Sequence, residues 1–217
     1  MTNNKIVVFG SGGHAKVLID IIEKQGRHQI GALVDYKPQR THLYEYSIIS
    51  EEDFFANPIS KTGFVAIGDN FTRAKIVEKI LSKIPEFRFI TAIHPSAQIA
   101  KNVTIEEGTC LMAHTSVNSD SKIGRHVIVN TNSSIDHDCT IEDFASVAPN
   151  AVLGGSCHVS KYSAISIGAS VIHGVRIGEN SVIGAGATVI GNIDGNGTYV
   201  GTPARLLKPR KAGDKYL

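Results

Sequence analysis

The chain has 217 residues, with 22 Lys and Arg against 20 Asp and Glu and a net charge of +2 at pH 7. That balance sets up no field strong enough to make nucleic acid or an anionic membrane the main partner. No apolar run approaches the ~18 residues of a membrane span, and the start leads into a short apolar strand rather than a signal core, so a cytoplasmic protein is expected. Cys110, Cys139 and Cys157 contain no close pair of the metal-binding kind, so no metal site is expected and the thiols read as reduced space-fillers.

The stretch from Lys5 to Gly10 reads as a buried strand running through Gly10-Ser-Gly-Gly-His14 into an amphipathic helix with Ala15, Leu18, Ile21 and Ile22 on one face. A strand, a glycine turn and a helix start make a phosphate cradle, because Gly10, Gly12 and Gly13 let backbone approach an anion while the first helical N–H groups of His14 and its neighbours point at it. A tight turn with no ligand needs the same glycines. Gly10-x-Gly12-x-x-Ala15 formally matches the dinucleotide fingerprint, and Asp35 closes the next strand, Ile30–Asp35. Only Phe64–Gly68 follows as a further clear strand, then a helix from Arg73 to Ile84 and a strand from Arg88 to Ile93. This is half of a doubly wound α/β (half-Rossmann) domain, enough for one nucleotide, and it argues against a nicotinamide-dependent oxidoreductase. Asp35 and Lys37 fall past the end of the second strand, Asn70 and Arg73 past the end of the third. Ligands of open α/β sheets bind at that edge, which makes these four candidate substrate-binding residues, although each alone reads equally as a polar loop residue.

From Ile99 to Val189 an aliphatic residue stands at every sixth position without a miss, and four places after each stands a residue that is mostly small, as at Thr109, Ser133 and Ala151. Neither a helix nor a simple strand has that period, whereas short strands turning a corner every sixth residue do. Three strands make a triangular coil of about 18 residues, so the sixteen units predict about five stacked coils of a parallel β-helix, each buried only against its neighbours. Two domains are expected, at 1–92 and 93–217.

The densest polar cluster of the solenoid is Asn130 to Cys139. Ile135 and Cys139 fall inward in the six-residue frame, which puts His137 and Asp138 on a corner. An imidazole flanked by carboxylates is held in one tautomer with its basicity raised, as a general base requires. Gly155, 18 residues on, sits one coil above His137, where a backbone N–H can meet a developing oxyanion. A lone corner histidine is ordinarily a surface residue. The flanking carboxylates, Asn130 and the stacked glycine set His137 apart from His94, His114, His126 and His158.

At these residues the chain resembles a known family. Gly-x-Gly-Gly-His14, Asp35-x-Lys37, Gly68-Asp-Asn70-x-x-Arg73, Asn130 with Ile135-Asp-His137-Asp-Cys139, and the closing Gly201-Thr-Pro-Ala-Arg205 are similar to the bacterial nucleotide-amino-sugar acetyltransferases of the left-handed β-helix (hexapeptide-repeat) superfamily, with relatives called sialic-acid O-acetyltransferases. The resemblance implies a left-handed coil, against the usual right-handed crossover rule. It implies a homotrimer with sites between subunits, and acetyl-CoA donating to the 4-amino group of a UDP-linked amino-dideoxy sugar in bacterial glycan biosynthesis. It places His137 as the base, Asp138 as its acidic partner, and Asn130 and His14 among the polar groups at the substrate. Gly155, Ile167, Ala185 and Arg205 fall along acetyl-CoA. Ser146 stands where relatives often carry a second histidine near the thioester. The competing expectations are O-acetylation of a sialic acid or related sugar and, from another class, a non-catalytic nucleotide-sugar-binding protein.

Overall fold

The computed structural model describes residues 5–215. It opens with β1 (Lys5–Phe9), α1 (Gly13–Gln25), β2 (Gln29–Asp35), β3 (His42–Leu43), β4 (Tyr46–Ser50), α2 (Glu51–Ala56), β5 (Thr62–Val65), α3 (Asn70–Lys83) and β6 (Arg88–Phe89). The sheet order is β3-β4-β2-β1-β5-β6, parallel throughout except for the β3–β4 hairpin. Because β2 and β5 flank β1 on opposite sides, the chain switches direction at β1, and the crevice for a ligand opens at the ends of β1, β2 and β5. The apolar stripe of α1, Ala15, Leu18, Ile19, Ile21 and Ile22, is buried. The helix stops at Gly26, whose left-handed φ of 66° lets its N–H return to the Ile22 and Glu23 carbonyls.

Three features depart from the expected elements. The strand β4 and the short helix α2 are additional, and their signal lies in Ser50, whose Oγ caps α2 by accepting from the Asp53 N–H at 3.0 Å. The helix expected from Arg73 begins at Asn70, capped by Asp69. The strand expected over 88–93 is two strands in different sheets, Arg88–Phe89 closing the first sheet and Ala92–Ile93 opening the solenoid.

The solenoid has three faces of two-residue strands, each strand pairing in parallel with the strand 18 residues on. The first face carries Ala92–Ile93, Cys110–Leu111, Ile128–Val129, Ser146–Val147, Ala164–Ile165 and Val182–Ile183. The second runs from Gln98–Ile99 to Thr188–Val189, and the third from Thr104–Ile105 to Arg176–Ile177. Both inward frames are buried from the second coil on. The aliphatic knobs from Leu111 to Val189 and the small residues beside them, Ser133, Ala151 and Cys157 among them, are at most a few per cent exposed. Buried hydroxyls in the small frame donate to carbonyls, as Ser121 Oγ does to Asp136 O at 2.8 Å. Cys139 and Cys157 are free thiols whose Sγ atoms donate to Gly154 O and Ile172 O.

Every sixth residue from Asn102 to Gly186 has a left-handed φ, between 54° and 70°. These are the corners. Asn, Asp and Gly occupy most of them, the residues that tolerate this region best. The corner N–H bonds to a carbonyl of the coil below, as Asp138 does to Ser119 O at 3.0 Å.

The two architectures join at a stack of three ring-bearing corner residues. His126, Phe144 and Tyr162 lie one above another, with ring centroids 5.0 and 5.7 Å apart, and Phe71 of α3 stacks on Tyr162 at 4.5 Å while Phe89 meets His126 edge-on. Lower on the first face, Ala92, Cys110, Met112 and Ile128 share one core with Ala15, Leu18 and Ile22 of α1.

Candidate active site

Asp138 Oδ2 accepts from His137 Nδ1 at 2.8 Å. A carboxylate only accepts, so Nδ1 carries the proton and Nε2 keeps its lone pair. The His137 N–H donates to Asp136 Oδ1 at 2.8 Å, and Asn118 from the coil below donates to the same oxygen at 2.9 Å. These two donors, Asn118 foremost, hold the Asp136 carboxyl below the usual range. The hydrogen bond to Asp138, followed by the charge on Asp136, raises the His137 pKa above the ordinary imidazole value. The imidazole covers Gly155 closely: a Cβ there would lie 2.6 Å from His137 Cε1 and 2.7 Å from Nε2. Any side chain at this position would force the ring to move.

A second cluster lies on the other side of the second face. A groove of about 730 Å³ runs between the start of α1 and the upper first face. Gly13, His14 and Val17 form one wall, and Ser146, Ala164 and Val182 the floor. Asn130, Ile167 and Ala185 stand along the corner between the first and second faces. His14 Nε2 is buried with no partner among the described residues. Burial, helped by the Arg73 guanidinium, pushes its pKa down to about 4, so the ring is neutral at pH 7. Asn130 turns its Oδ1 to the Thr131 N–H. Arg205 is exposed on the hairpin of Gly197–Val200 and Arg205–Pro209, which extends the first-face sheet above this groove.

The edge of the first sheet carries the rest. Gly10, with φ 112°, packs so closely that a Cβ would meet Ala66 O at 2.9 Å, whereas Gly12 and Gly13 face open space. Asp35 accepts from Ser11 Oγ and, at 3.3 Å, from the Lys37 N–H, while Lys37 Nζ lies 5.3 Å from the Tyr36 ring centroid. Arg40, absent from the expected set, donates to Ser11 O.

Three expectations are corrected by this geometry. Asn70 and Arg73, expected at the substrate, are buried, with Arg73 1% exposed. Arg73 donates to the carbonyls of Ile67, Gly68, His126 and Phe144 and to Asn70 Oδ1, and Asn70 Nδ2 donates to Tyr162 O and Ser163 O. They clamp α3 to the solenoid corner and offer no surface to a ligand. Asn130, expected beside His137, stands on the neighbouring corner, separated by the strand Ser134–Ile135. Nearness in sequence around a coil is not nearness in space when a corner intervenes.

A half doubly wound domain docked on a left-handed β-helix, with a carboxylate-held histidine on one corner and a mostly apolar groove on another, defines a hexapeptide-repeat transferase. Residues 5–80 match the family model described as the PglD N-terminal domain. PerB of Caulobacter crescentus, solved with CoA and GDP-perosamine, is 32% identical with a TM-score of 0.87 over 94% of this chain and 97% of its own. The acetyltransferase domain of PglB from Neisseria gonorrhoeae, solved with acetyl coenzyme A, is 30% identical with a TM-score of 0.86 over 94% of this chain and 100% of its own. A UDP-N-acetylbacillosamine N-acetyltransferase of Bacillus subtilis is 31% identical over 118 residues, and the match spans about half of each protein. The chain belongs to the bacterial nucleotide-amino-sugar acetyltransferases of the left-handed β-helix superfamily.

Proposed function

We propose that the protein transfers the acetyl group of acetyl-CoA to the 4-amino group of a nucleotide-linked amino-dideoxy sugar, with UDP as the expected nucleotide. The observation that carries this reading is the His137 corner, an exposed imidazole whose Nδ1 is committed to Asp138 and whose ring covers a glycine. Nε2 takes a proton from the sugar amine, the amine nitrogen attacks the thioester carbonyl, and the oxyanion is met by the Gly155 N–H. The C–S bond breaks as the carbonyl reforms, and the imidazolium returns its proton to the leaving thiolate, giving CoA thiol and the amide. The groove takes the pantetheine arm along Ile167 and Ala185 with Arg205 at the phosphates, and the glycine turn of Gly10 to His14 takes the nucleotide with Asp35 and Lys37.

Within a chain the second face separates His14, which lines the first-face groove, and Asn130, on the first–second corner, from His137, so a complete site needs a second copy. The second face supports a homotrimer. Its outward residues, Ser116, Ser134, Val152, Ser170 and Thr188 among them, carry no charge, whereas the third face shows Lys122, His158 and Arg176. Packing that face around a threefold axis sets the first–second corner of one subunit, with Asn130 and Ile167, against the His137 corner of the next. Ile167, Ile172 and Ile190, exposed on those two corners, are then covered. Three buried free thiols accord with the cytoplasmic location we assign.

The test incubates the protein with acetyl-CoA and a panel of UDP- and GDP-linked 4-amino sugars and sialic acids, following thiol release. Turnover with an amino sugar and none with the hydroxyl acceptors is expected. Release with sialic acid alone moves the reaction to O-acetylation, and no release with any acceptor overturns the catalytic reading.

A further inference from the structure

A buried hydroxyl lies beneath the His137 corner. Ser121, on the coil below, is fully buried, and its Oγ donates to Asp136 O at 2.8 Å while accepting from the Cys139 N–H at 3.0 Å. Asp136 O belongs to the peptide that enters His137, and the Cys139 N–H to the peptide that leaves Asp138. One side chain therefore holds the backbone on both sides of the His137–Asp138 pair.

The first–second corner closes without such a bridge: the Ser133 N–H donates straight to Asn130 O, and the Ala151 N–H to Ala148 O, each at 3.1 Å. At the His137 corner the carbonyl and the N–H three residues on meet through the Ser121 hydroxyl instead. The pair above it is sensitive to that link. His137 and Asp138 are neighbours in sequence, and the 2.8 Å bond between their side chains forms across a residue with a left-handed φ of 58°. Its length follows the backbone angles of both residues, so a small rotation of either flanking peptide opens it. The same wedge recurs one coil up, where Cys139 Sγ donates at 3.3 Å to Gly154 O, the carbonyl of the peptide whose N–H is that of Gly155. It recurs on another corner, where Thr109 Oγ1 bridges Gly124 O at 2.7 Å and the Val127 N–H at 2.9 Å.

We propose that Ser121 is a positioning residue for the acetyl transfer, its buried hydroxyl setting the backbone of the His137–Asp138 turn and through it the direction of the Nε2 lone pair. This rests on the general-base reading of His137 above. Ser121 touches neither the substrates nor the reacting atoms. Its loss therefore falls on kcat, through a displaced base, and spares the KM of either substrate.

The test compares Ser121→Ala, Ser121→Cys and Thr109→Val in the full-length protein, by melting temperature, steady-state rates and NMR titration of the His137 imidazole. Ser121→Ala is expected to lower kcat about tenfold with both KM values within twofold of wild type. The His137 pKa moves down toward its ordinary value as the bond to Asp138 loosens, although Asp136 and Asp138 on the turn and Asp120 one coil below are unchanged. Ser121→Cys keeps the bridge with the longer reach seen at Cys139, so about threefold is lost and most of the pKa returns. Thr109→Val removes the same bridge from a turn without the base, and should lower the melting temperature while leaving kcat and the His137 titration as they are. In an active wild type, a kcat within twofold and an unmoved His137 titration in Ser121→Ala overturn the role of Ser121 alone, as does an equal loss of kcat in Thr109→Val. Should Ser121→Ala not fold, Ser121→Cys carries the test, and a kcat and titration equal to wild type there overturn the role. A wild type that releases no thiol with any acceptor overturns the general-base reading itself.

Discussion

Asp138 acts on His137 in two ways: it fixes the proton on Nδ1, and it stabilises the imidazolium that forms when Nε2 takes a proton. The reaction needs the neutral ring, so kcat/KM rises with pH through the His137 pKa, which lies above the ordinary value of about 6.5. Asp138→Asn removes the anionic acceptor. The acid limb of the profile should then move to lower pH while the plateau falls, because the tautomer is no longer enforced. A limb that stays in place would show that another group titrates. His137→Ala should lower turnover about 10²-fold or more with little change in acetyl-CoA affinity, read from steady-state rates and a direct binding titration. This corner was legible in the sequence because all its determinants lie on one coil or 18 residues apart: the flanking carboxylates are adjacent in the chain, and the glycine comes from the strict repeat. Arg40 was not, since its contact with Ser11 spans the crevice between two strands and depends on how the β2–β3 loop folds back.

At the scale of elements, the same repeat explains what could be read and what could not. A period of six fixes which residues point inward, so coil stacking and the buried frames follow from it. It also carries the corner signal, in the Asn, Asp and Gly residues that recur from Asn102 to Gly186. The docking of α3 breaks that regularity at Phe144 and Tyr162, bulky residues in a left-handed conformation that only tertiary packing makes tolerable. The motif of Asn70 and Arg73 is equally visible, but its position past a strand end points to a ligand, and nothing in a single strand says that a solenoid corner fills that place. The two roles separate experimentally. Arg73→Met should cost about 3 kcal/mol or more in unfolding free energy, since several buried carbonyls lose their donor, and should lower the melting temperature without a selective rise in the KM for the nucleotide sugar. A rise in KM at unchanged stability would return Arg73 to the substrate site. His126 in the same joint has its pKa pushed down to about 3, by burial first and then by Arg73. The unfolded chain takes up this proton near pH 6.5 and the folded chain only near 3, so the stability held by neutral His126 is complete above about pH 6.5 and is lost as pH falls toward 3. Melting temperature should therefore decline on acidification across that window, and His126→Phe, which keeps an aromatic ring in the stack, should make the decline shallower.

For the whole molecule, the shared core of α1 with Ala92, Cys110, Met112 and Ile128 means that the α/β block and the solenoid are one packed body. Removing residues before Ile90 would expose that face of the coil, so the substrate and donor regions are tested by substitution in the intact chain. The proposed trimer makes a sharper demand. If His137 of one subunit serves the groove of its neighbour, a chain with His137→Ala and a chain with Asn130→Ala are each defective in every homotrimeric site. Mixing them after reversible dissociation restores sites in which the Asn130→Ala chain supplies His137 and the His137→Ala chain supplies the groove. Random assortment at equal amounts makes about one site in four wild type. Turnover should thus recover to about a quarter of the native value, with a mass by light scattering near three times 23.2 kDa. Mixed variants no more active than the unmixed ones would place the whole site within one chain.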